Sequence, residues 1–290
     1  MVLTDCQSPQ HLSDLPRDRV AFATFDLRDY AAIYTLFAKH RIDRVIHSAA
    51  ISHPGPSFAQ PVTTLQINFD ATVTLLEAAR LHGVARFVFI STIGVYGPFQ
   101  SHRVNEKHPT VGDSPYGVAK LAAELMGLTY AEEFGLPFVA LRYSLIYGPS
   151  RLQPCPIKML VEAAAARRPL QLASEADTGL NILYEADAAG PILHCLEEDT
   201  LHRVYNIGDG KQHCLGEVLR ILHRLTPSWS AAIGPGVLPR ETTGLPLGRH
   251  TGAVIDISRA RKDLRFSPSY DLERGVTEYF KSIEGSTVAR

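Results

Sequence analysis

The chain has 290 residues, 45% of them hydrophobic, enough to bury roughly 75% of the unfolded polypeptide's surface in one large or two modest domains. Its 29 basic and 30 acidic residues nearly balance and no basic run stands out, which argues against nucleic acid or an anionic membrane and for a small, locally recognised ligand. No apolar run approaches the ~20 residues that span a bilayer, the opening residues are too few for a secretory h-region, and the four scattered cysteines and 12 histidines lack metal-ligand spacing. These features predict a cytoplasmic protein with reduced thiols, no metal and no membrane partner.

In chain order, Val2 to Asp5 reads as the end of a buried strand with an acid at its tip, and Val20 to Asp26 as a second strand. A turn at Asp26 to Asp29 leads into a helix from Tyr30 to about His40. Arg44 to Ala50 is a short apolar strand, and a long helix spans roughly Val62 to His82, closed by Gly83. Arg86 to Thr92 is the fourth strand. Ser114 is a candidate N-cap and Pro115 a first helical residue for a helix running to about Phe134. Phe138 to Tyr143 is the fifth strand. Continuously apolar strands alternating with helices predict a parallel sheet covered on both faces, a doubly wound, Rossmann-like α/β domain over residues 1–150.

Beyond Pro149 the texture changes. Helices are predicted for Ile157 to Arg168, Glu185 to Glu197 and Leu215 to about Leu225, with strands at Gly179 to Tyr184 and Arg203 to Ile207. Pro227 to Gly248 reads as loops around a short strand, and helices start at Ser258 and Leu272. Residues 151–290 are expected to form a smaller substrate lobe, interleaved with the last strands of the sheet.

In open α/β sheets ligands bind at the carboxyl ends of the strands, where Asp5, Asp26, Ala49, Ala50, Ser91, Thr92 and Ser144 are predicted to lie. An acid such as Asp5 accepts hydrogen bonds from ribose hydroxyls and repels a 2′-phosphate, favouring NAD over NADP. A turn or cap role also suits Asp5, and helix capping suits Asp26. Four residues apart on one helix, Tyr116 and Lys120 share a face. An ammonium near a phenol stabilises the phenolate and brings it toward the working range of a base. The same spacing also occurs on half-buried helix faces without chemistry.

With these residues assembled, the chain resembles the extended short-chain dehydrogenases/reductases of the NAD-dependent epimerase/dehydratase family. The matching segments run in order through Asp26 to Asp29, Val45 to Ala50, Asn68 with Ala71 and Thr72, Ile90 to Gly97, Tyr116-x-x-x-Lys120 and Leu141 to Pro149. They continue in Tyr184 to Asp187, Tyr205 to Gly208 and Asp256 to Arg261. The resemblance implies that Tyr116 is the acid/base, that Lys120 lowers its pKa and holds the nicotinamide ribose, and that Thr92 bonds the reacting oxygen. It further implies NAD contacts from Asp5, Asp26, Leu27, Ala49, Ala50, Asn68 and Ser91, and sugar or nucleotide-sugar contacts from Ser144 and Asn206 beside Thr92 and Tyr116. Arg142, Tyr147 and Asn206 match family positions but equally suit buried pairing. A homodimer through the Val62 to His82 and Ser114 to Phe134 helices is also implied.

The departures narrow the expectation. The family's dehydratases carry an acidic pair after the catalytic threonine, where this chain has Ile93 and Gly94, so water elimination lacks its acid. Epimerisation remains, with a UDP-sugar 4-epimerase as the best single expectation. Ser144 replaces the family's phosphate-reaching asparagine and Pro246 an arginine, which favours the alternative of a dehydrogenase acting on a free sugar, uronate or aldonate. No Gly-x-x-Gly-x-x-Gly turn occurs, and the resemblance places Val2 to Asp5 at the family's second strand, so the first strand and helix, about thirty residues, are expected to be missing. Two readings follow: a fuller protein carries the glycines upstream, or the chain is a non-catalytic relative. These 290 residues alone are expected to express poorly and to bind NAD weakly.

Overall fold

β4 (Arg86–Thr92) and β6 (Phe138–Tyr143) lie at the centre of the parallel sheet, and every residue of β6 is buried. Strands sandwiched between two helical layers have no polar face, which is why Phe87 to Ile90 of β4 and Phe138 to Leu141 of β6 are apolar throughout. In the computed structural model, which describes residues 1–7, 18–173, 177, 179–234 and 252–288, this sheet has four strands. Their order is β11 (Val204–Ile207), β6, β4, β3 (Arg44–His47). The register sets Ser91 beside Arg142 and Thr92 beside Tyr143. β11 comes from the second half of the chain, which therefore contributes to the same sheet.

β1 (Val2–Asp5) and β2 (Ala21–Thr24) pair in parallel as a separate sheet. Among the described residues β3 pairs only with β4, and Ile46 on β3 and Phe22 on β2 stay 47% and 36% exposed. α1 (Tyr30–Lys39) is capped by the Asp29 carboxylate, which accepts from the Ala32 N–H.

Several predicted elements differ. The strand expected to reach Ala50 stops at His47, which leaves Ala49 and Ala50 in the following loop. The long helix is interrupted: α3 (Pro61–Leu65) passes through a π-helical turn, Gln66–Asp70, into α4 (Ala71–Leu81). Within that turn Asn68 bonds both backbone groups of Ile51, accepting from its N–H and donating to its carbonyl. α2 (Pro54–Ala59) was not predicted, because two prolines and a glycine in six residues read as loop. The single strand expected over Gly179 to Tyr184 is two: Gly179–Leu180 pairs with His213–Cys214, and Ile182–Tyr184 with β7 (Leu145–Tyr147). The break falls at Asn181, whose side chain holds the Ala253 carbonyl and the Ile255 N–H. Of the Pro227 to Gly248 segment, Ala231–Gly234 is a strand beside Leu170–Ala173, and residues 235–251, including Pro246, lie outside the described residues.

The second lobe packs α6 (Pro156–Ala165) and α8 (Leu215–Leu225) with the helix Leu272–Val288, while α7 (Ala189–Glu197) lies against β4 and β6 of the sheet. Its core gathers Leu160, Leu222, Trp229, Val276 and Tyr147. Tyr147 belongs to both halves, since it ends β7 just beyond the cavity described next.

Candidate active site

β4 delivers Thr92 to the carboxyl end of the sheet, and a 3-10 turn, Ile93–Tyr96, follows at once. The Thr92 hydroxyl accepts from the Gly94 N–H at 3.1 Å, fixing the entry to that turn. α5 (Pro115–Glu133) starts as the sequence predicts, with the Ser114 hydroxyl accepting from the Gly117 N–H at 3.1 Å and Pro115 in the first turn. A Cβ at position 117 would lie 2.7 Å from the Gly94 carbonyl oxygen, so only glycine lets this helix start approach the turn so closely. The approach puts Tyr116 beside Thr92 on a cavity of about 250 Å³. Ser144, Ile93, Gly94, His53, Arg151 and Asn181 complete much of its wall.

Burial raises the Tyr116 phenol above the ordinary tyrosine range, while hydrogen bonding with Thr92 and the positive charge of Arg151 act in the opposite direction. Lys120 was expected to supply that charge. Instead its ammonium donates to the Ile90 carbonyl at 2.8 Å and lies 4.6 Å from the Phe89 ring centre. At 2% exposure it loses most of its hydration, and burial pushes its pKa down to about 7. His47, at the end of β3, is buried beside it, holds the Thr72 hydroxyl at 2.9 Å and is pushed down to about 3, first by burial and then by the Lys120 charge. It is a neutral neighbour at neutral pH.

One turn below Lys120, the fully buried Glu124 carboxylate pairs with Arg142 of β6 and accepts from the Ser91 hydroxyl at 2.8 Å. Arg142 donates to the Tyr96 hydroxyl at 2.8 Å, which donates to Asn206 at 2.7 Å. This network ties α5 to β4, β6 and β11. Ser91 was expected to bind the cofactor, but its hydroxyl is directed at Glu124. Asn206, expected at the substrate, is 0% exposed, is absent from the cavity wall and donates to the Val104 and Asp256 carbonyls.

The remaining predicted residues lie along the other strand ends. Asp5 is exposed at the tip of β1, its carboxylate accepting from the Gln7 N–H at 3.0 Å. Asp26 is held at about pKa 2 by bonds from the Arg28 side chain and N–H, and so is ionised. Leu27 packs on the core beneath. Ala49 is exposed and Ala50 half-buried in the loop after β3, and Asn68 bonds both backbone groups of Ile51, the next residue of that loop. Ser144 lines the cavity with its hydroxyl buried and unpartnered. His53, Arg151, Asn181 and Glu124 had no signal in the sequence, because each acquires its place through contacts between distant segments.

Among the described residues no group of histidine, cysteine, aspartate and glutamate side chains is arranged to hold a metal ion, and no helix is long and apolar enough to cross a membrane.

Residues 3–279 match the family described as GDP-mannose 4,6-dehydratase. The UDP-glucose 4-epimerase of Halalkalibacterium halodurans is 28% identical over 279 residues, covering 90% of this chain and 81% of that enzyme. A dTDP-glucose 4,6-dehydratase of Xanthomonas campestris pv. campestris is 27% identical over 272 residues, covering 89% of this chain and 77% of that enzyme. Among solved structures, the UDP-glucose 4-epimerase of Thermus thermophilus, determined in complex with NAD, superposes with a TM-score of 0.84 at 25% identity, covering 98% of this chain and 91% of that one. The chain belongs to the GDP-mannose 4,6-dehydratase family, NAD-dependent nucleotide-sugar epimerases and dehydratases of the extended short-chain dehydrogenase/reductase type.

Proposed function

We propose that this protein is an NAD-dependent epimerase of a nucleotide sugar, with 4-epimerisation of a UDP-sugar as the reaction its residues fit best. The observation that carries the reading is the pairing of Tyr116 and Thr92 on a cavity whose neighbouring positions, Ile93 and Gly94, hold no acid. A sugar hydroxyl placed between the two would bond to Thr92 and give its proton to the Tyr116 phenolate. Without an acid at Ile93 or Gly94, the two positions that follow Thr92 cannot protonate a leaving hydroxyl, which disfavours elimination. Tyr116 returns the proton to the same oxygen as the carbonyl carbon is reduced from its other face, which gives the epimer.

The residues at the strand ends suit NAD. Asp5 offers an exposed carboxylate for ribose hydroxyls, Asp26 and Leu27 border the next strand tip, and Ala49 and Ala50 present no bulk where a cofactor would lie. When bound, NAD supplies the hydride acceptor and donor. Lys120, one turn along α5 from Tyr116, would hold the nicotinamide ribose; its present partner, the Ile90 carbonyl, belongs to a residue of the cavity wall.

A second reading, a dehydrogenase of a free sugar, uronate or aldonate, is favoured by Ser144, whose short side chain replaces a phosphate-reaching amide. We also propose a homodimer and a cytoplasmic setting. Support for the dimer is the exposure of Val62 and Leu65 on α3 and of Val118 and Leu125 on α5, two helices in contact. The four cysteines are all unpaired, as a reducing compartment requires. Tyr116→Phe tests the catalytic reading: kcat should fall on the order of 10²- to 10⁴-fold with NAD affinity unchanged, whereas a rate within about threefold of wild type would mark Tyr116 as a packing residue.

A further inference from the structure

The turn that follows β7 is fastened from a neighbouring strand end. β7 and the strand Ile182–Tyr184 run in parallel with Tyr147 beside Tyr184, so the next residue of each, Gly148 and Glu185, leaves the sheet next to the other. There the Glu185 carboxylate accepts from the Ser150 N–H at 2.9 Å and from the Ser150 hydroxyl at 2.9 Å. The turn itself closes with the Arg151 N–H donating to the Gly148 carbonyl at 3.3 Å. A Cβ at position 148 would lie 2.3 Å from the Glu185 carboxyl carbon, so glycine is what lets the carboxylate reach over the turn.

Arg151 is the residue this turn delivers. Its guanidinium donates through Nη1 to the Ile146 carbonyl at 3.0 Å, its Nε is buried, and it lies on the wall of the cavity that contains Tyr116. The other ionisable residues of that wall are Asp113, Tyr143 and His53, and burial pushes His53 down to about 4, which leaves it uncharged at neutral pH. Among the described residues lining the cavity, Arg151 is thus the one cation. Its charge favours the Tyr116 phenolate, while the Lys120 ammonium is directed at the Ile90 carbonyl.

We propose that Glu185 is a positioning residue: it holds the turn after β7 so that Arg151 stays on the cavity wall, where Arg151 supports Tyr116 as the base. Glu185 itself is absent from the wall and acts through Arg151. The inference rests on the reading of Tyr116 as the base.

The sign of the effect separates this role from a direct one. Removing a carboxylate near a phenol favours the phenolate, whereas releasing Arg151 takes a cation away and disfavours it. Glu185→Ala should therefore move the acid limb of kcat/KM, measured with UDP-glucose and NAD, upward by on the order of one pH unit, a loss of about tenfold below the limb. Arg151→Gln should move it the same way, and the double variant no further than either alone. The second readout needs no turnover: the nitrogen NMR signal of the Arg151 Nε–H, assigned by its loss in Arg151→Gln, should shift to the position of solvent-exposed arginines in Glu185→Ala. Ser150→Ala, a milder change at an exposed residue, should shift it part of the way. An Arg151 signal unmoved in both variants, an acid limb that stays or moves down in Glu185→Ala, or additive effects in the double variant would each overturn the proposal. Should the wild type not turn over UDP-glucose, the nucleotide-sugar reading falls, and the Arg151 signal still decides whether Glu185 holds the turn.

Discussion

Lys120 stands where a lysine is least comfortable, at 2% exposure with, among the described residues, the Ile90 carbonyl and the Phe89 ring in place of water. Its folded pKa of about 7 lies below the ordinary value of about 10.4. Since the folded state binds this proton less readily than the unfolded state, the group destabilises the fold. The penalty is full below about pH 7, shrinks as pH rises, and vanishes above about pH 10.4. Lys120→Met should therefore raise stability at pH 6 by on the order of 1 to 3 kcal/mol, with the gain fading toward pH 10, and should remove activity. Urea unfolding at the two pH values checks it, and equal stability of both proteins at pH 6 would count against a desolvated ammonium. The motif positions Thr92, Tyr116 and Ser144 were legible because their spacing and their places at strand and helix ends suffice to bring them together. His53 and Arg151 were not, because the first lies on an unpredicted helix start and the second follows a loop, and only the fold puts both on one cavity.

Elements decide how firmly Tyr116 is aimed. The first turn of α5 rests against the Ile93–Tyr96 turn through Gly117, and further along a Cβ on Gly127 would meet the Phe138 ring at 2.2 Å. Gly117→Ala should push the helix start away from the Gly94 carbonyl. Alanine is the better helix former by about 1 kcal/mol, so a stability gain would be expected of an unconstrained helix. Here the contact should reverse it, giving a protein that unfolds at lower urea and has kcat reduced on the order of tenfold or more from misplacing the phenol. Unchanged kcat would show that the turn yields freely. α5 was readable from its start, where Ser114 caps the Gly117 N–H and Pro115 follows, and from its apolar spacing. The break at Asn181 was not, because it depends on Ala253 and Ile255, residues far along the chain. The π-helical turn was equally hidden: it follows from Asn68 reaching the loop at Ile51, a tertiary contact with no periodic signal.

At the scale of the molecule, alternating strands and helices were enough to place the parallel sheet, and β11 shows why a division at residue 150 is a property of the sequence's texture rather than of the sheet. The proposed dimer would cover the apolar side chains exposed on α3 and α5. Leu125→Glu, at 53% exposure, should leave the fold intact and halve the mass seen by light scattering at micromolar concentration. An unchanged mass that is already monomeric in the wild type would refute the dimer. The most direct test of the whole account is incubation of the purified full-length protein with UDP-glucose and NAD, following both the sugar product and the NADH absorbance. Epimerisation through Tyr116 predicts conversion of the sugar to its 4-epimer over many turnovers without net NADH, and loss of that conversion in Tyr116→Phe. Stoichiometric NADH, or a dehydrated sugar formed without an acid at Ile93 or Gly94, would contradict it.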